Sequence, residues 1–179
     1  NTKVTKISMS KDLKAMTIGI RSQHLIDYRD KVKMLYQLKK QIFGQAECSI
    51  SFAMDYELSS QYTPKTLLES YQESMELELR ETDRIYYELY KNSEYHWEED
   101  TLCFLFEENV FSKNYAEGFK SYLTDFVSNQ CHMDFFMKYQ FVEPKVAEAE
   151  EEPEEEVYSI SWKKNQMAEN RDKAEDKSD

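Results

Sequence analysis

Apolar and polar residues alternate at the start of the chain. The segments VTKISMS and AMTIGIR, separated by KDLK, predict a β-hairpin in which Met16, Ile18 and Ile20 share one face. Further along, ECSISFAMDY alternates strictly, which predicts a strand with one buried face running from Cys48 to Tyr56.

A helical pattern lies between these strands. The segment IDYRDKVKMLYQLKKQIFG predicts an amphipathic helix with Asp27 as its N-cap and Gly44 just beyond its last turn. Its expected inward face carries apolar residues three or four positions apart, namely Val32, Leu35, Leu38 and Ile42.

Two further helices are predicted in the middle of the chain. The first begins at Thr63 and Pro64, an N-cap residue followed by proline at the first helical position. Its apolar positions are Leu68, Tyr71, Met75 and Leu79. The second is TDRIYYELYKN, in which Ile85 and Leu89 lie one turn apart.

The pattern of the first quarter then returns. The segments SEYHWEED and TLCFLFEE predict a second hairpin, with Leu102, Phe104 and Phe106 on one face. A helix follows, with inward positions Tyr115, Phe119, Tyr122 and Phe126. A last alternating strand, CHMDFFMKYQFV, points Met133, Phe135, Met137, Tyr139 and Phe141 inward.

The order of elements predicts an α+β fold in two layers, built from two strand–strand–helix–strand units joined by helices. We expect one compact domain over residues 1–142. Residues 143–156 are rich in Glu and are expected to form an acidic, disordered linker. Residues 157–179 are expected to be a charged segment that leads to a further domain.

Charge is distributed unevenly along the chain, although the formal total is −12. Residues 1–43 carry ten Lys/Arg and three Asp/Glu, whereas residues 44–108 carry four and sixteen. The overall acidity argues against a strong, sequence-independent DNA-binding protein. The first helix nevertheless has a basic face that is a candidate contact for an acidic partner or for phosphate, a solvated face being the other interpretation. Its residues are Arg29, Lys31, Lys33, Lys39 and Lys40.

Cysteines and hydropathy indicate the compartment. Three cysteines far apart predict no disulfide framework, so a reducing cytoplasm fits best. No apolar run is long enough to span a membrane, and we expect no membrane contact.

Candidate chemistry is sparse. Cys131 and His132 are adjacent, but no second ligand pair for zinc is evident, and a buried Cys beside an exposed His is the better interpretation. A nucleophilic pair of Cys103 and His96 would need a hairpin to align the two residues. The acidic run Glu98, Glu99 and Asp100 is interpreted as a solvated turn. We therefore expect no catalytic, cofactor-binding or metal-binding residue, and no cofactor.

The Tyr- and Phe-rich stripes have two interpretations. Exposed rings could stack on bases of single-stranded nucleic acid. Their alternation at inward positions favours a role in the hydrophobic core instead.

The order of these features resembles a known family. The basic hairpin running into MTIGIRSQHLIDYRDKVKMLYQLKKQIFG, then TPKTLLESYQESM, EDTLCFLFEENV, GFKSYLTDFVSNQ and an acidic stretch, is similar to the second part of the N-terminal region of PolC-type DNA polymerase III alpha subunits. These are replicative polymerases of Gram-positive bacteria. The resemblance implies a KH-like α+β fold that binds another replisome protein, with the clamp-loader tau subunit as a suggested partner.

The same resemblance separates this region from the parent protein's chemistry. The whole polymerase is a nucleotidyltransferase that synthesises DNA on a template and proofreads it with a 3′–5′ exonuclease, and its catalytic carboxylates and DNA contacts belong to other domains. No catalytic residue is carried over to this chain. The KH likeness does not imply RNA binding, because the required G-x-x-G loop does not occur in the sequence.

Two functions follow as hypotheses. The first is a non-catalytic protein-interaction domain of a replicative DNA polymerase. The alternative is an accessory module that binds single-stranded DNA through its basic N-terminal segment and surplus of aromatic residues.

Overall fold

Two β-hairpins, each followed by a helix and a returning strand, organise the chain. The computed structural model describes residues 1–42 and 48–144. The first unit consists of β1 (Thr2–Met9), β2 (Ala15–Ser22), α1 (Tyr28–Ile42) and β3 (Ser49–Tyr56). The connecting helices are α2 (Pro64–Thr82) and α3 (Arg84–Lys91). The second unit consists of β4 (Glu94–Glu98), β5 (Thr101–Glu107), α4 (Val110–Thr124), a π-helical extension (Asp125–Gln130) and β6 (Phe136–Val142).

The two units have the same sheet topology. In the first sheet β2 is central, antiparallel to β1 and parallel to β3, so that Ile18 lies opposite both Ile7 and Phe52. In the second sheet β5 is central, antiparallel to β4 and parallel to β6. This arrangement confirms the predicted α+β fold with two strand–strand–helix–strand units.

The first hairpin buries the face that the alternation predicts. Met16, Ile18 and Ile20 are all less than a tenth exposed. The neighbouring strand β1 is exposed along its whole length, and its pairing with β2 shifts register at Thr5. A Cβ atom on Gly19 would lie 2.7 Å from the Thr5 hydroxyl oxygen, so glycine permits the bulged strand to approach β2 this closely.

Helix α1 begins as predicted but buries a different face. The Asp27 carboxylate accepts a hydrogen bond from the Arg29 backbone N–H at 2.8 Å, which is the N-cap contact. Met34 and Leu38 pack against the first sheet, whereas Val32 and Ile42 are 43% and 51% exposed, which corrects their predicted inward placement. No residue of α1 is fully buried. Gly44 lies outside the described residues.

Helices α2 and α3 have well-formed N-termini. The Thr63 hydroxyl accepts a hydrogen bond from the Thr66 backbone N–H, and Pro64 occupies the first turn, as predicted. Asp83 accepts a hydrogen bond from the Tyr86 backbone N–H and so caps α3. Ile85 is 41% exposed, which corrects its predicted packing.

The second unit contains the larger core. Phe104, Phe106 and Phe119 are each at most 2% exposed, and their rings contact one another edge-on or stacked. A Cβ atom on Gly118 would lie 2.3 Å from the Tyr86 hydroxyl oxygen, so α3 and α4 approach closely at this glycine. Tyr115 and Phe141 are each 36% exposed and lie outside this cluster, which corrects their predicted inward placement.

The buried side chains form two clusters. The smaller contains Met16, Ile18, Ile20 and Cys48, and the larger spans α2, α3 and the second unit. Ile26 and Met54 pack against both clusters and connect them.

Two predictions concern other parts of the chain. The predicted acidic linker lies outside the described residues from residue 145 onward, as does the whole of 157–179. Within the described ranges, no helix is long and apolar enough to cross a lipid bilayer.

Candidate functional site

Helix α1 presents the predicted basic face only in part. Arg29, Lys33, Lys39 and Lys40 are exposed. Lys31 is different, because its side chain is only 12% exposed and its Nζ lies 3.0 Å from Glu78 Oε2. Its ammonium also lies 5.4 Å from the centre of the Tyr71 ring. Lys31 therefore joins α1 to α2 and is not available to a partner.

The exposed side of α1 combines cations with apolar residues. Val32 and Tyr36 lie one turn apart and are 43% and 69% exposed. Lys33 forms an ion pair with Asp30 at 3.1 Å. Among the described residues, no carboxylate lies within ion-pair distance of Arg29, Lys39 or Lys40. We call Arg29, Val32, Lys33, Tyr36, Lys39 and Lys40 the α1 outer face.

A second polar constellation connects the two units. The Asp55 carboxylate lies 2.6 Å from Arg21 Nε and 2.7 Å from His132 Nε2. The hydrogen bond with His132, and after it the one from Arg21, hold the pKa of Asp55 below its ordinary value. The His132 contact has the larger effect. His132 has a positive φ of 56°. The contact is structural, because Asp55 and His132 come from different units and hold them together.

Cys131 does not share a site with the neighbouring histidine. Its side chain is buried in the larger core, and burial raises the pKa of its thiol to about 12. His132 is exposed and faces Asp55. A buried Cys beside an exposed His is the placement that the sequence favoured.

The second hairpin aligns His96 and Cys103, the pair considered from the sequence, and adds Glu98 to them. His96 in β4 lies directly opposite Cys103 in β5, and Lys138 in β6 lies opposite Cys103. The Glu98 carboxylate lies 3.2 Å from His96 Nε2 and contacts Lys138 Nζ. Glu99, with a φ of 52°, and Asp100 form the predicted turn, whereas Glu98 is the last residue of β4, which corrects its placement in that turn.

Side-chain contacts explain the ionisation of this cluster. The Lys138 ammonium, and after it His96, lower the pKa of Glu98 by hydrogen bonding to its carboxylate. The same contact with Glu98 raises the pKa of Lys138. His96, Glu98 and Cys103 place one nitrogen, one oxygen and one sulfur atom within 4.8 Å of one another, the only such group of metal-ligand types in the described ranges.

The aromatic residues serve mainly the core. Tyr71 stacks on Phe126 at 4.9 Å between ring centroids, and Tyr90 and Phe119 belong to the larger cluster. Burial raises the pKa of the Tyr71 and Tyr90 hydroxyls. Tyr36 on α1 and Phe136 on β6 are the most exposed rings in the described part of the chain, at 69% and 63%, and neither belongs to a cluster.

Comparison with known proteins bears on the N-terminal unit. Residues 1–52 match the family described as DNA polymerase III polC-type N-terminus I. The match covers β1, β2, α1 and the first residues of β3. It confirms the resemblance seen in the sequence and supports an N-terminal region of a PolC-type DNA polymerase III.

The match links the chain to DNA replication through an N-terminal domain of a polymerase. Neither the comparison with curated proteins nor that with solved structures gave a match. Within the described ranges, no catalytic domain is evident.

Proposed function

We propose that this chain is a non-catalytic protein-interaction domain of a PolC-type DNA polymerase III, and that the α1 outer face is its contact surface. The family match supports the polymerase context. The observation that carries the proposal is that exposed Tyr36 and Val32 share a face with three cations that have no carboxylate within ion-pair distance among the described residues. In the parent protein, synthesis and proofreading are assigned to other domains.

The chemistry of the α1 outer face defines the partner. Arg and aromatic residues are enriched where protein interfaces gain their affinity, and Tyr36 offers an apolar ring at low entropic cost. Arg29, Lys39 and Lys40 would attract carboxylates around that ring. The partner is therefore a replisome protein with an acidic segment that carries at least one apolar side chain. The clamp-loader tau subunit is the first candidate to test, in the cytoplasm where replication proceeds.

A binding measurement tests this proposal. We expect the chain to bind the tau subunit with a micromolar Kd at low salt, and more weakly as salt rises. Tyr36→Ala combined with Lys39→Glu and Lys40→Glu should weaken binding by about 10-fold or more, because it removes the ring and inverts two charges.

The matched control changes the same charge elsewhere. Lys3→Glu with Lys6→Glu inverts two exposed lysines on β1, within the same basic segment but away from α1. This variant should bind nearly as the unmodified chain does. Absence of association at tens of micromolar would exclude tau as the partner. Equal losses in both variants would show a general charge effect and contradict the α1 outer face as the site.

Single-stranded DNA is the second candidate ligand for the same face. The observation in its favour is that Tyr36 is exposed beside unpaired cations, as on a base-stacking platform. Proteins that bind single-stranded DNA stack successive bases on aromatic rings along a charged groove. The α1 outer face has one exposed ring and no groove, so a protein partner is favoured. Binding to an oligothymidylate that falls steeply with salt and is lost on Lys39→Glu with Lys40→Glu would support the DNA alternative. Salt-independent or undetectable binding would remove it.

A further inference from the structure

The outer face of the second sheet carries a row of polar side chains across its strands. His96, Cys103 and Lys138 are direct neighbours in β4, β5 and β6. Glu98 lies two residues after His96 on the same strand, so it points to the same side of the sheet. The row faces away from Leu102 and Phe104, which are buried in the larger core.

Three of these side chains have the spacing that a metal ion requires. His96 Nε2 and Glu98 Oε1 are 3.2 Å apart. One ligand atom from each of His96, Glu98 and Cys103 lies within 4.8 Å of the other two. Ligands at ordinary bond lengths from a tetrahedral zinc ion are about 3.3–3.5 Å apart. The histidine nitrogen and the glutamate oxygen already have about that separation, and zinc binding would draw the cysteine sulfur closer to them.

We propose that His96, Glu98 and Cys103 form a zinc-binding site on the second sheet. The ligand set selects the ion, because thiolate and imidazole suit zinc whereas magnesium and calcium prefer oxygen ligands. Cys103 supplies the buried base of the site, and His96 and Glu98 reach it from the exposed side. A solvent molecule or a partner side chain completes the tetrahedron.

The site is built on rigid elements. Two ligands lie at positions i and i+2 of β4, and the third lies across the hairpin on β5, the central strand of the sheet. A bound ion would fasten the edge strand β4 to β5 through side chains in addition to the backbone ladder. Zinc binds this folded arrangement and not the unfolded chain, so it stabilises the fold by mass action.

Lys138 is the competitor for this site. Its ammonium forms an ion pair with the Glu98 carboxylate. The positive charge therefore lies beside the ligand atoms that a dication would use. Zinc binding must displace Lys138 from Glu98 and release the proton of the Cys103 thiol. Affinity should consequently rise with pH and rise when Lys138 is neutralised.

The test uses the whole chain, treated with a chelator and kept reduced. We expect one zinc ion per chain in competition with a chromophoric chelator. Cobalt(II) should give the near-ultraviolet absorption of a thiolate–cobalt bond. Cys103→Ser should abolish this band and weaken zinc binding at least about 100-fold. Loss of a residue that only hydrogen-bonds to a ligand already costs up to about 100-fold, so loss of a ligand itself should cost at least as much.

Matched variants separate this site from other metal contacts. Cys48→Ser removes an equally buried thiol from the smaller cluster and should leave zinc binding unchanged. His96→Ala should weaken binding, whereas His132→Ala, far along the chain, should not. Lys138→Met should strengthen binding by about 10-fold, because one adjacent like charge is removed.

Three results would overturn the proposal. They are binding no tighter than about 100 μM, cobalt binding without a thiolate band, and unchanged affinity in Cys103→Ser. The second would point to carboxylates such as those of the Glu-rich segment near residue 150. If Cys103→Ser were to unfold, His96→Ala and Lys138→Met, both at exposed positions, would decide the question. None of these readouts depends on the proposed protein interaction.

Discussion

The two sheets of this protein share one connectivity but differ greatly in how well they are covered. Helices α2, α3 and α4 pack with the second sheet in a cluster of eighteen buried residues, to which β3 of the first unit adds Tyr56. In the first unit, α1 contributes no buried residue and the cluster contains four. Identical topology therefore does not imply equal stability, because the free energy comes from the apolar area that each unit removes from water.

The two units therefore differ in what they contribute to the protein. The well-covered second sheet and its helices supply most of the stability, and the thinly covered first unit leaves apolar and charged groups exposed. The hydrogen bond between Tyr28 N–H and Ser74 Oγ, at 2.7 Å, joins α1 to the connecting helix α2 and holds the first unit in place.

Truncating the centre of the larger core should have the largest effect. Phe119 is fully buried and its ring contacts those of Tyr86, Phe104 and Phe106. Phe119→Ala should lower the free energy of unfolding by about 3–5 kcal/mol, measured by urea titration. Phe136→Ala, at a position that is 63% exposed, is the control and should change it by less than about 0.5 kcal/mol. A loss below about 1 kcal/mol for Phe119→Ala would contradict the larger core as the main source of stability.

The same experiment in the first sheet should give a smaller loss. Ile18 is 3% exposed, but its cover by α1 is incomplete. Ile18→Ala should cost about 2–3 kcal/mol, toward the lower end for a buried isoleucine because the site can collapse. Ile7 lies directly opposite on β1 and is 62% exposed, so Ile7→Ala should be close to neutral. Equal losses at Ile18 and Phe119 would remove the contrast between the units.

Breaking the contact between α1 and α2 should have an intermediate effect on the free energy of unfolding. Ser74→Ala removes the acceptor for the Tyr28 N–H, a donor at the start of α1. We expect a loss of about 1–2 kcal/mol in unfolding free energy, since a partly buried donor is left without its partner. Hydrogen exchange should rise in α1 before it rises in α4. Ser121→Ala, whose hydroxyl bonds only within its own helix, is the control, and an equal loss there would contradict this explanation.

Removing the Asp55 contact should have the smallest effect on the free energy of unfolding, and acid should abolish that effect. The folded-state pKa of Asp55 is depressed, so its stabilising contribution is present above the ordinary value of 3.8 and is lost as pH falls through the lowered pKa. Asp55→Asn should therefore cost less than about 1 kcal/mol at neutral pH, because the pair is partly exposed. The difference between the two proteins should vanish in strong acid. A difference that grows as pH falls would contradict the assigned sign.

Most of the fold follows from local pattern. Alternation in β2 and β5 identified both central strands, and the capping residues Thr63 and Asp27 marked where α2 and α1 begin. The inward face of α1 was predicted less well. Periodicity shows that a helix has an apolar face, but the width of the sheet beneath decides which of its residues are covered.

The candidate sites depended on contacts that a sequence does not display. Lys31 resembles its basic neighbours in the sequence, yet Glu78, almost fifty residues later, neutralises it. His96 and Cys103 were considered as a pair from the sequence, but Glu98 was assigned to a solvated turn, because its proximity to them depends on the register of the hairpin. A shift of one residue would move each side chain of β4 to the other face.

The bulge at Thr5 has a consequence for the behaviour of the protein at high concentration. Strand β1 is a free edge with exposed Val4 and Ile7, the kind of surface on which chains aggregate. The bulge interrupts the regular row of backbone donors, and Lys3 and Lys6 would oppose their own copies if two such edges met. An exposed β1 is thus a poor template for pairing with a second copy of the chain, although the strand presents apolar side chains.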